Sequence, residues 1–131
     1  MPNKIKLSNF ELEVMQCIWD AGEVIAPDVH KTIAANRKIS YSAVKTIFDR
    51  LEEKDAIRRV RTYGRTILWT AAIQKEDVAG TLVSDFMNRI FGGKVRPLMS
   101  HVLQKEDLTM DDISYLEDLL EERKKDLAVS K

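Results

Sequence analysis

The sequence predicts a mainly α-helical protein with one small β-hairpin, arranged as two domains at residues 1–73 and 74–131. Three observations support this fold class. Apolar residues recur at spacings of three and four over most of the chain, as in amphipathic helices. The pattern changes only between Ala56 and Thr70, where β-branched and aromatic residues return after a turn at Gly64. The halves also differ in charge: residues 1–75 hold 13 Lys/Arg and 9 Asp/Glu, and residues 76–131 hold 8 and 12.

Composition bounds the class of protein. A hydrophobic content of 44% is ordinary for a globular chain. No run approaches the roughly 18 apolar residues of a membrane span, and the N-terminus lacks the apolar core of a signal peptide. We therefore expect a cytoplasmic protein without a membrane partner. The one cysteine, Cys17, lies on an apolar helix stripe and is expected to be a small buried hydrophobe.

No group of residues indicates catalysis or metal binding. His30 and His101 each stand without a second candidate ligand, so we expect no metal site and no cofactor. No nucleophile, base and orienting group come together, and there is no glycine-rich phosphate loop. The sequence therefore predicts no catalytic residues and a protein that is not an enzyme.

Three helices are predicted at the start of the first domain. Ser8 and Glu11 have the spacing of a capping box, and the helix that they open stops at Gly22. Pro27 suits the first turn of a second, short helix, because that turn needs no amide donor there. After a brief basic link, Ser40 can cap a third helix. Two short helices joined by a tight link form the helix-turn-helix layout.

The third helix has one apolar and one polar face. Its apolar residues fall at i, i+3, i+4 and i+7, namely Val44, Ile47, Phe48 and Leu51. The opposite face carries Ser42, Lys45, Thr46 and Asp49, with Arg50 on its flank. A polar face of this kind is most often simply solvated. Residues 31–65, however, hold 10 basic and 4 acidic residues, which favours a surface that binds a polyanion.

A basic β-hairpin is predicted directly after this helix, with Gly64 in the turn and residues 66–70 in the returning strand. A hairpin in this position is a wing. Arg61, Tyr63 and Arg65 cluster at its tip, where guanidinium groups can meet phosphates or enter a minor groove. The alternative is a solvated turn that happens to be basic.

Three further helices are predicted in the second domain, over residues 74–91 and 94–104 and after a cap at Thr109. A segment of this size makes a marginal core, yet its apolar stripes are wide. We therefore expect two copies to interlock as a two-fold homodimer. The alternative is that these helices fold back on the first domain. The candidate dimerisation residues are Leu82, Phe86, Ile90, Phe91, Leu98, Val102, Ile113, Leu116 and Leu120.

Four segments, in this order and spacing, resemble the penicillinase-repressor family (the BlaI/MecI/CopY type) of winged-helix transcriptional regulators: ISYSAVKTIFDRL, GRTILWTA, FMNRIFGG and LTMDDISYLEDLLEE. The resemblance runs from about Leu7 to Leu120. It implies an N-terminal winged helix-turn-helix, a C-terminal three-helix dimerisation domain, and repression of an operon through an inverted-repeat operator. At matching positions it implies recognition-helix roles for Ser40, Ser42, Lys45, Thr46 and Arg50, wing roles for Gly64 and Arg65, and dimer-domain roles for Phe86, Phe91, Gly92 and Ile113.

The off-switches of that family are not matched here. Its antibiotic-responsive members are inactivated by a sensor protease system that cuts an Asn-Phe bond in the dimer domain, but residues 98–102 of this chain read LMSHV. The one Asn-Phe pair begins at Asn9, at the cap of the first helix. Copper-responsive members carry Cys-x-Cys pairs near the C-terminus, whereas this chain has only Cys17. A sensor protease as partner and a role as a copper sensor are therefore not expected.

Together these features predict a homodimeric, sequence-specific DNA-binding transcriptional repressor, whose partner is double-stranded DNA with a pseudo-palindromic operator. Lys45 and Thr46 are the candidates for base edges, and Arg50, Arg61 and Arg65 for phosphates. The alternative is a winged-helix protein-interaction adaptor without an operator. The candidate DNA-binding residues are Ser40, Tyr41, Ser42, Lys45, Thr46, Arg50, Arg61, Tyr63, Gly64 and Arg65.

Overall fold

A computed structural model describes residues 5–129 and confirms a mainly helical fold with a small antiparallel sheet. The ends of the two predicted domains, residues 1–4 and 130–131, lie outside the described residues. In chain order the elements are α1 (Asn9–Ala21), β1 (Glu23–Val24), α2 (Ala26–Ala34), α3 (Tyr41–Glu53), β2 (Ile57–Tyr63), β3 (Thr66–Ala71), α4 (Lys75–Phe91), α5 (Val95–Lys105) and α6 (Met110–Val129).

The described residues divide into two compact units between Val83 and Ser84, inside α4. The predicted division between residues 73 and 74 separates a DNA-binding part from a dimerisation part. That division concerns function, and it stays a prediction.

The capping box predicted at the start of α1 is confirmed. The backbone N–H of Glu11 donates to Ser8 Oγ at 3.1 Å, and the N–H of Ser8 donates to Glu11 Oε1 at 2.7 Å. The predicted stop is confirmed as well, because Gly22 caps the helix with a φ of 87°, which glycine adopts without a steric penalty. Cys17 is half-buried against the core, and burial raises the pKa of its thiol, so the side chain packs as a neutral group.

The strand β1 was not predicted. It has two residues, and it extends the hairpin to a three-stranded sheet of order β1-β3-β2 through the pairs Glu23↔Thr70 and Val24↔Trp69. A strand this short has no periodicity to detect, so only its partner strand defines it. It places β3 at the centre of the sheet.

The core of the first unit lies between α1–α3 and the sheet. Its buried residues are Val14, Met15, Ile18, Val24, Ala26, Val29, Ile33, Val44, Ile47, Phe48, Leu51, Ala56, Ile57 and Trp69. Phe48 and Trp69 meet with their ring centroids 5.7 Å apart, which packs α3 directly on the central strand. The indole N–H of Trp19 donates to the carbonyl of Ile73 at 3.0 Å and anchors the segment that follows β3.

A β-bulge at Val60 divides β2 into two parts. Arg59 is opposite Trp69 and Arg61 is opposite Leu68, so Val60 is the extra residue. Since side chains alternate between the two faces of a sheet, one extra residue reverses the facing of every residue after it. Arg59 therefore shares the core-side face with Trp69, and Arg61 shares the opposite face with Leu68.

The carboxylate of Glu11 is buried, and the residue is 2% exposed. It accepts a hydrogen bond from Lys54 Nζ at 2.6 Å, which joins the start of α1 to the end of α3. The same Nζ donates to the carbonyl of Lys6 at 2.8 Å. Burial by itself would raise the pKa of the Glu11 carboxyl, but the bonds from Lys54 and from the Ser8 N–H outweigh burial and lower that pKa.

The link between α3 and β2 contains a strained residue. Asp55 has a φ of 60°, the left-handed region, and it is the only non-glycine residue of the described chain in that region. Its N–H donates to the carbonyl of Glu52 at 3.0 Å, and the N–H of Ala56 donates to the carbonyl of Leu51 at 2.9 Å. These two bonds form a Schellman motif, which closes α3 and starts the wing.

The second unit consists of the rest of α4 with α5 and α6. The predicted N-terminal cap of α6 is confirmed. The N–H of Asp112 donates to Thr109 Oγ1 at 3.1 Å, and Asp112 Oδ2 accepts from the Thr109 N–H at 3.0 Å. None of the described residues of this unit is buried. Of the candidate dimerisation residues, those exposed by 39% or more are Leu82, Phe86, Ile90, Ile113 and Leu120, and those half-buried are Phe91, Leu98, Val102 and Leu116.

Low pH is expected to weaken the ion pair between Glu11 and Lys54, which joins α1 to the end of α3. The folded pKa of Glu11 lies below the reference value of 4.5, so the ionised carboxylate stabilises the fold above that pH, and this contribution is lost as pH falls through the folded pKa. Glu11→Gln should cost about 1–3 kcal/mol at neutral pH, because the carboxylate partner of Lys54 is lost. Urea unfolding across a pH series measures the difference between the two proteins, which should shrink in acid. A difference that stays constant would contradict a specific role for the carboxylate.

Asp55→Gly is expected to stabilise the protein. The left-handed conformation costs a residue with a Cβ about 1–2 kcal/mol, and the flexibility of glycine in the unfolded chain offsets part of the gain. The free energy of unfolding should rise by roughly 0.5–1 kcal/mol, measured by urea unfolding. Asp55→Ala is the control and should not stabilise, because alanine keeps the Cβ. A lower free energy of unfolding in Asp55→Gly would show that the left-handed conformation of Asp55 is not strained.

Candidate nucleic-acid interface

Helix α3 presents the polar face that the sequence predicts. Ser40 caps the helix, since its Oγ accepts the N–H of Ala43 at 3.1 Å, and the Ser42 hydroxyl lies 3.2 Å from the same oxygen. The predicted apolar residues are buried, namely Val44, Ile47, Phe48 and Leu51. The predicted outer residues are exposed, namely Ser42, Lys45, Thr46, Asp49 and Arg50. Burial on one side thus fixes which side chains α3 offers to a ligand.

Three basic side chains near this face are available to a ligand. Among residues 5–129, no hydrogen bond or ion pair engages the side chains of Lys45, Arg50 or Arg65, and all three are exposed. Arg59 differs, because it binds the carboxylate of Glu52. An unpaired cation loses less on binding a phosphate, since no internal partner has to be given up.

The hydroxyl of Thr46 is already occupied within α3. It donates to the carbonyl of Ser42 at 2.9 Å, one turn earlier in the helix. A threonine with this bond has no free donor, and it keeps its methyl group and an oxygen that can still accept. Among base edges, the thymine methyl is the apolar partner that such a group can contact.

His30 closes the turn between α2 and α3, a role that sequence reasoning missed. Its Nε2 lies 2.9 Å from the carbonyl oxygen of Ile39, and since a carbonyl only accepts, this nitrogen carries the hydrogen. The imidazole also meets Tyr41 edge to face, with centroids 5.7 Å apart. Tyr41 is the first residue of α3, so His30 helps to position the start of the helix. The spacing of these residues follows no helical or strand period, and the sequence carries no signal for the contact.

Arg59 fixes the stem of the wing to α3, and this residue was also missed. Its guanidinium contacts Glu52 through Nε (2.9 Å) and Nη2 (3.3 Å) and lies 5.3 Å from the centroid of the Trp69 ring. The hydrogen bond with Glu52 raises the pKa of Arg59, which stays charged. In sequence, Arg59 is one of several adjacent arginines, and nothing local distinguishes it from those that remain free.

At the tip of the wing, two of the three predicted residues contact each other, and the third lines a cleft beside α3. Arg61 Nη1 donates to the Tyr63 hydroxyl at 3.0 Å, and the guanidinium lies 5.9 Å from the centroid of that ring. Arg65 instead lines an open cleft of about 210 Å³ beside α3, together with Tyr41 and Lys45. The predicted turn is confirmed, with Gly64 at a φ of 59°. The tip of the wing therefore offers the basic groups of Arg61 and Arg65, and Arg65 adjoins the helix.

The structure adds two observations on other classes of site. Within residues 5–129, no group of three or more His, Cys, Asp or Glu side chains is placed to hold a metal ion. No helix in that range combines the length and the apolar character needed to cross a membrane.

Comparison with known proteins adds evidence from outside the chain. The model of the penicillinase repressor family matches residues 7–122. The penicillinase repressor of Staphylococcus aureus is 26% identical over 121 residues, which cover 92% of this chain and 95% of that protein. The penicillinase repressor of Bacillus licheniformis is 28% identical over 119 residues, with 91% and 92% covered.

Among solved structures, the chain resembles the DNA-binding domain of the repressor BlaI. The TM-score is 0.52 at 28% sequence identity, and the match covers 59% of this chain and 93% of that domain. This coverage corresponds to a single winged-helix unit, and it supports the winged-helix fold.

Proposed function

This chain belongs to the penicillinase repressor family, and we propose that it is a DNA-binding transcriptional repressor that acts as a homodimer on an inverted-repeat operator. The observation that carries the proposal is the outer face of α3. It is capped, exposed and basic, and Lys45 and Arg50 on it are unpaired within the described chain. The likeness of the first unit to a DNA-binding domain supports duplex DNA as the polyanion.

In this proposal α3 enters the major groove, which is wide enough for a helix. Lys45 can donate to the O6 and N7 acceptors of guanine, and the methyl group of Thr46 can pack on a thymine methyl. Arg50 and Arg65 contact phosphates on either side of the groove and orient the helix. The caps at Ser40 and the contacts of His30 hold the helix start in place before DNA arrives.

The second unit pairs two chains, so that the dimer can bind two half-sites of the operator. Its helices expose large apolar side chains, with Phe86 at 50%, Ile90 at 63% and Leu120 at 62% exposure in the single chain. The same apolar face on a second chain can bury these side chains. A homodimer with two-fold symmetry then presents two α3 helices to the two halves of a pseudo-palindromic operator. The dimer therefore doubles the number of base contacts.

The proposed function also implies where the protein is located and that it is not an enzyme. A repressor works where the bacterial chromosome is, so we place the protein in the cytoplasm, and binding rather than catalysis is its activity. Residues 98–102, where the family resemblance places the cleaved bond, lie inside α5 and lack Asn-Phe, whereas Asn9-Phe10 opens α1. Release from DNA by cleavage at an Asn-Phe bond of the dimer domain is therefore not part of the proposal.

Lys45 and Arg65 are expected to differ in how they affect binding. The probes are a duplex selected by the wild-type protein from a randomised pool and an unrelated duplex of equal length. Lys45→Ala should lose about 1–3 kcal/mol on the selected duplex and much less on the unrelated one, because a base contact carries sequence information. Arg65→Ala should weaken both and reduce the salt slope by about one.

Lys105→Ala in α5 is the control for loss of one positive charge, and it should leave both affinities unchanged. If neither variant alters binding, the assignment of this face is wrong. If the wild-type protein retains no duplex at physiological salt, an adaptor that binds an acidic protein becomes the better description.

Ile90→Glu is expected to break the dimer. The side chain is exposed in the single chain, so the substitution should leave helix content intact, but a carboxylate at a paired apolar face is desolvated without a partner. Sedimentation equilibrium should report a monomer, and affinity for a duplex with two half-sites should fall to that for one. Asn88→Glu is the control: at 100° per residue this exposed side chain lies about 160° around α4 from Ile90, and the variant should stay dimeric. A dimeric Ile90→Glu protein would place the interface elsewhere.

A further inference from the structure

The open cleft of about 210 Å³ between α3 and the wing has an apolar floor. Phe48 and Trp69 line it and are almost wholly buried, and the half-buried side chain of Ile67 adds an aliphatic wall. Pockets for drug-sized ligands measure about 300–1,000 Å³, so this cleft suits a smaller molecule with one or two rings. An apolar floor favours the apolar body of an organic ligand over a hydrated inorganic ion.

The exposed rim of the same cleft carries an excess of positive charge. Lys45, Arg59 and Arg65 line the cleft, against the single carboxylate of Asp49. Arg59 is paired with Glu52, so Lys45 and Arg65 are the lining cations that stay available within the described part of the chain. Two available cations against one carboxylate leave a net charge of +1. The rim therefore matches a ligand with one negative charge, and a carboxylate can accept two parallel hydrogen bonds from an arginine.

We propose that this cleft binds a small organic monoanion, a single carboxylate on an apolar ring system, and that the bound ligand releases the protein from DNA. The carboxylate contacts the guanidinium of Arg65 and the ammonium group of Lys45, and the rings contact Trp69. The proposed function assigns the same two cations to DNA, so ligand and duplex exclude each other. The release step rests on the proposed function, whereas binding of the ligand to the free protein does not.

The first experiment measures binding to the full chain without DNA, with 2-naphthoate as the probe. The chain has two tryptophans, and Trp69 lines the cleft whereas Trp19 bonds to the carbonyl of Ile73 elsewhere. In a nitrogen-15 NMR titration, the indole N–H signal of Trp69 should shift and that of Trp19 should stay in place. A ligand with about a dozen non-hydrogen atoms should have a dissociation constant on the order of 1 mM.

Variants and analogues separate the contributions of charge and rings. Arg65→Ala should weaken binding of 2-naphthoate by about three- to tenfold, because one charge-assisted hydrogen-bonding partner is lost. Arg61→Ala is the matched control and should bind like the wild-type protein, because Arg61 lies on the opposite face of the same wing. 2-Naphthamide has the rings without the charge, and acetate has the charge without the rings. Neither should shift the Trp69 signal at the concentration at which 2-naphthoate does.

The second experiment measures release from a duplex that the wild-type protein selects from a randomised pool. At ten times its own dissociation constant, 2-naphthoate should weaken duplex binding by about tenfold, as expected for simple competition. Acetate at the same ionic strength is the control for salt. Ile67→Phe narrows the cleft at a residue outside the proposed DNA contacts. This variant should bind the duplex like the wild-type protein and should lose both the Trp69 shift and the release.

Three results would overturn the inference. They are a Trp69 signal that stays in place, equal shifts of both tryptophans, and undiminished binding of 2-naphthoate by Arg65→Ala. A ligand that shifts Trp69 but weakens duplex binding no more than acetate would overturn the release step. Each of these results leaves the proposed function intact, provided that the wild-type chain selects a duplex. Failure to select any duplex would instead remove the proposed function, and the NMR titration would still decide whether the cleft binds the ligand.

Discussion

The contact between Phe48 and Trp69 is the constraint on which the DNA-facing part of the molecule depends. Phe48 belongs to the buried face of α3, and Trp69 belongs to the central strand of the sheet. Because β3 pairs on both sides, its position is set by β1 and β2 together, and α3 inherits that position. Helix α3 and the central strand of the wing thus pack in one core, which sets the position of both before a long, regular ligand is bound.

Ion pairs within the first unit decide which of its basic side chains are available to a ligand. The whole chain has a formal net charge of zero, which would suggest no preference for a polyanion. Ion pairs in the first unit engage Arg37, Lys54 and Arg59 with carboxylates, and these pairs join elements of the fold to one another. Among the described residues of the first unit, the cations without a carboxylate partner include Lys45 and Arg50 on α3 and Arg61 and Arg65 on the wing. These four lie on the candidate interface, so the local charge of that surface is positive although the whole chain is neutral.

The features that the sequence predicted correctly are local ones. Examples are the helix caps at Ser8, Ser40 and Thr109 and the apolar periodicity of α3. Each depends on residues within one or two helical turns, so the local sequence is enough to predict it. The contacts that were missed join distant residues or different elements. The bonds of Lys54 to Glu11 and of His30 to Ile39 are examples, and so is the extra residue at Val60, which only the register of a partner strand reveals. Family resemblance supplied the overall plan, but it could not distinguish the paired arginines from the free ones.

The bulge at Val60 has a consequence for how this surface can change over generations. Loss of the single codon for Val60 would make β2 a regular strand and leave Arg61 opposite Leu68, so the residues near the tip would keep their facing. In a strand without a bulge, loss of one residue would reverse the facing of the residues beyond it. The wing of this protein can therefore shorten by one residue while Arg61 and Tyr63 stay on the outer face of the sheet.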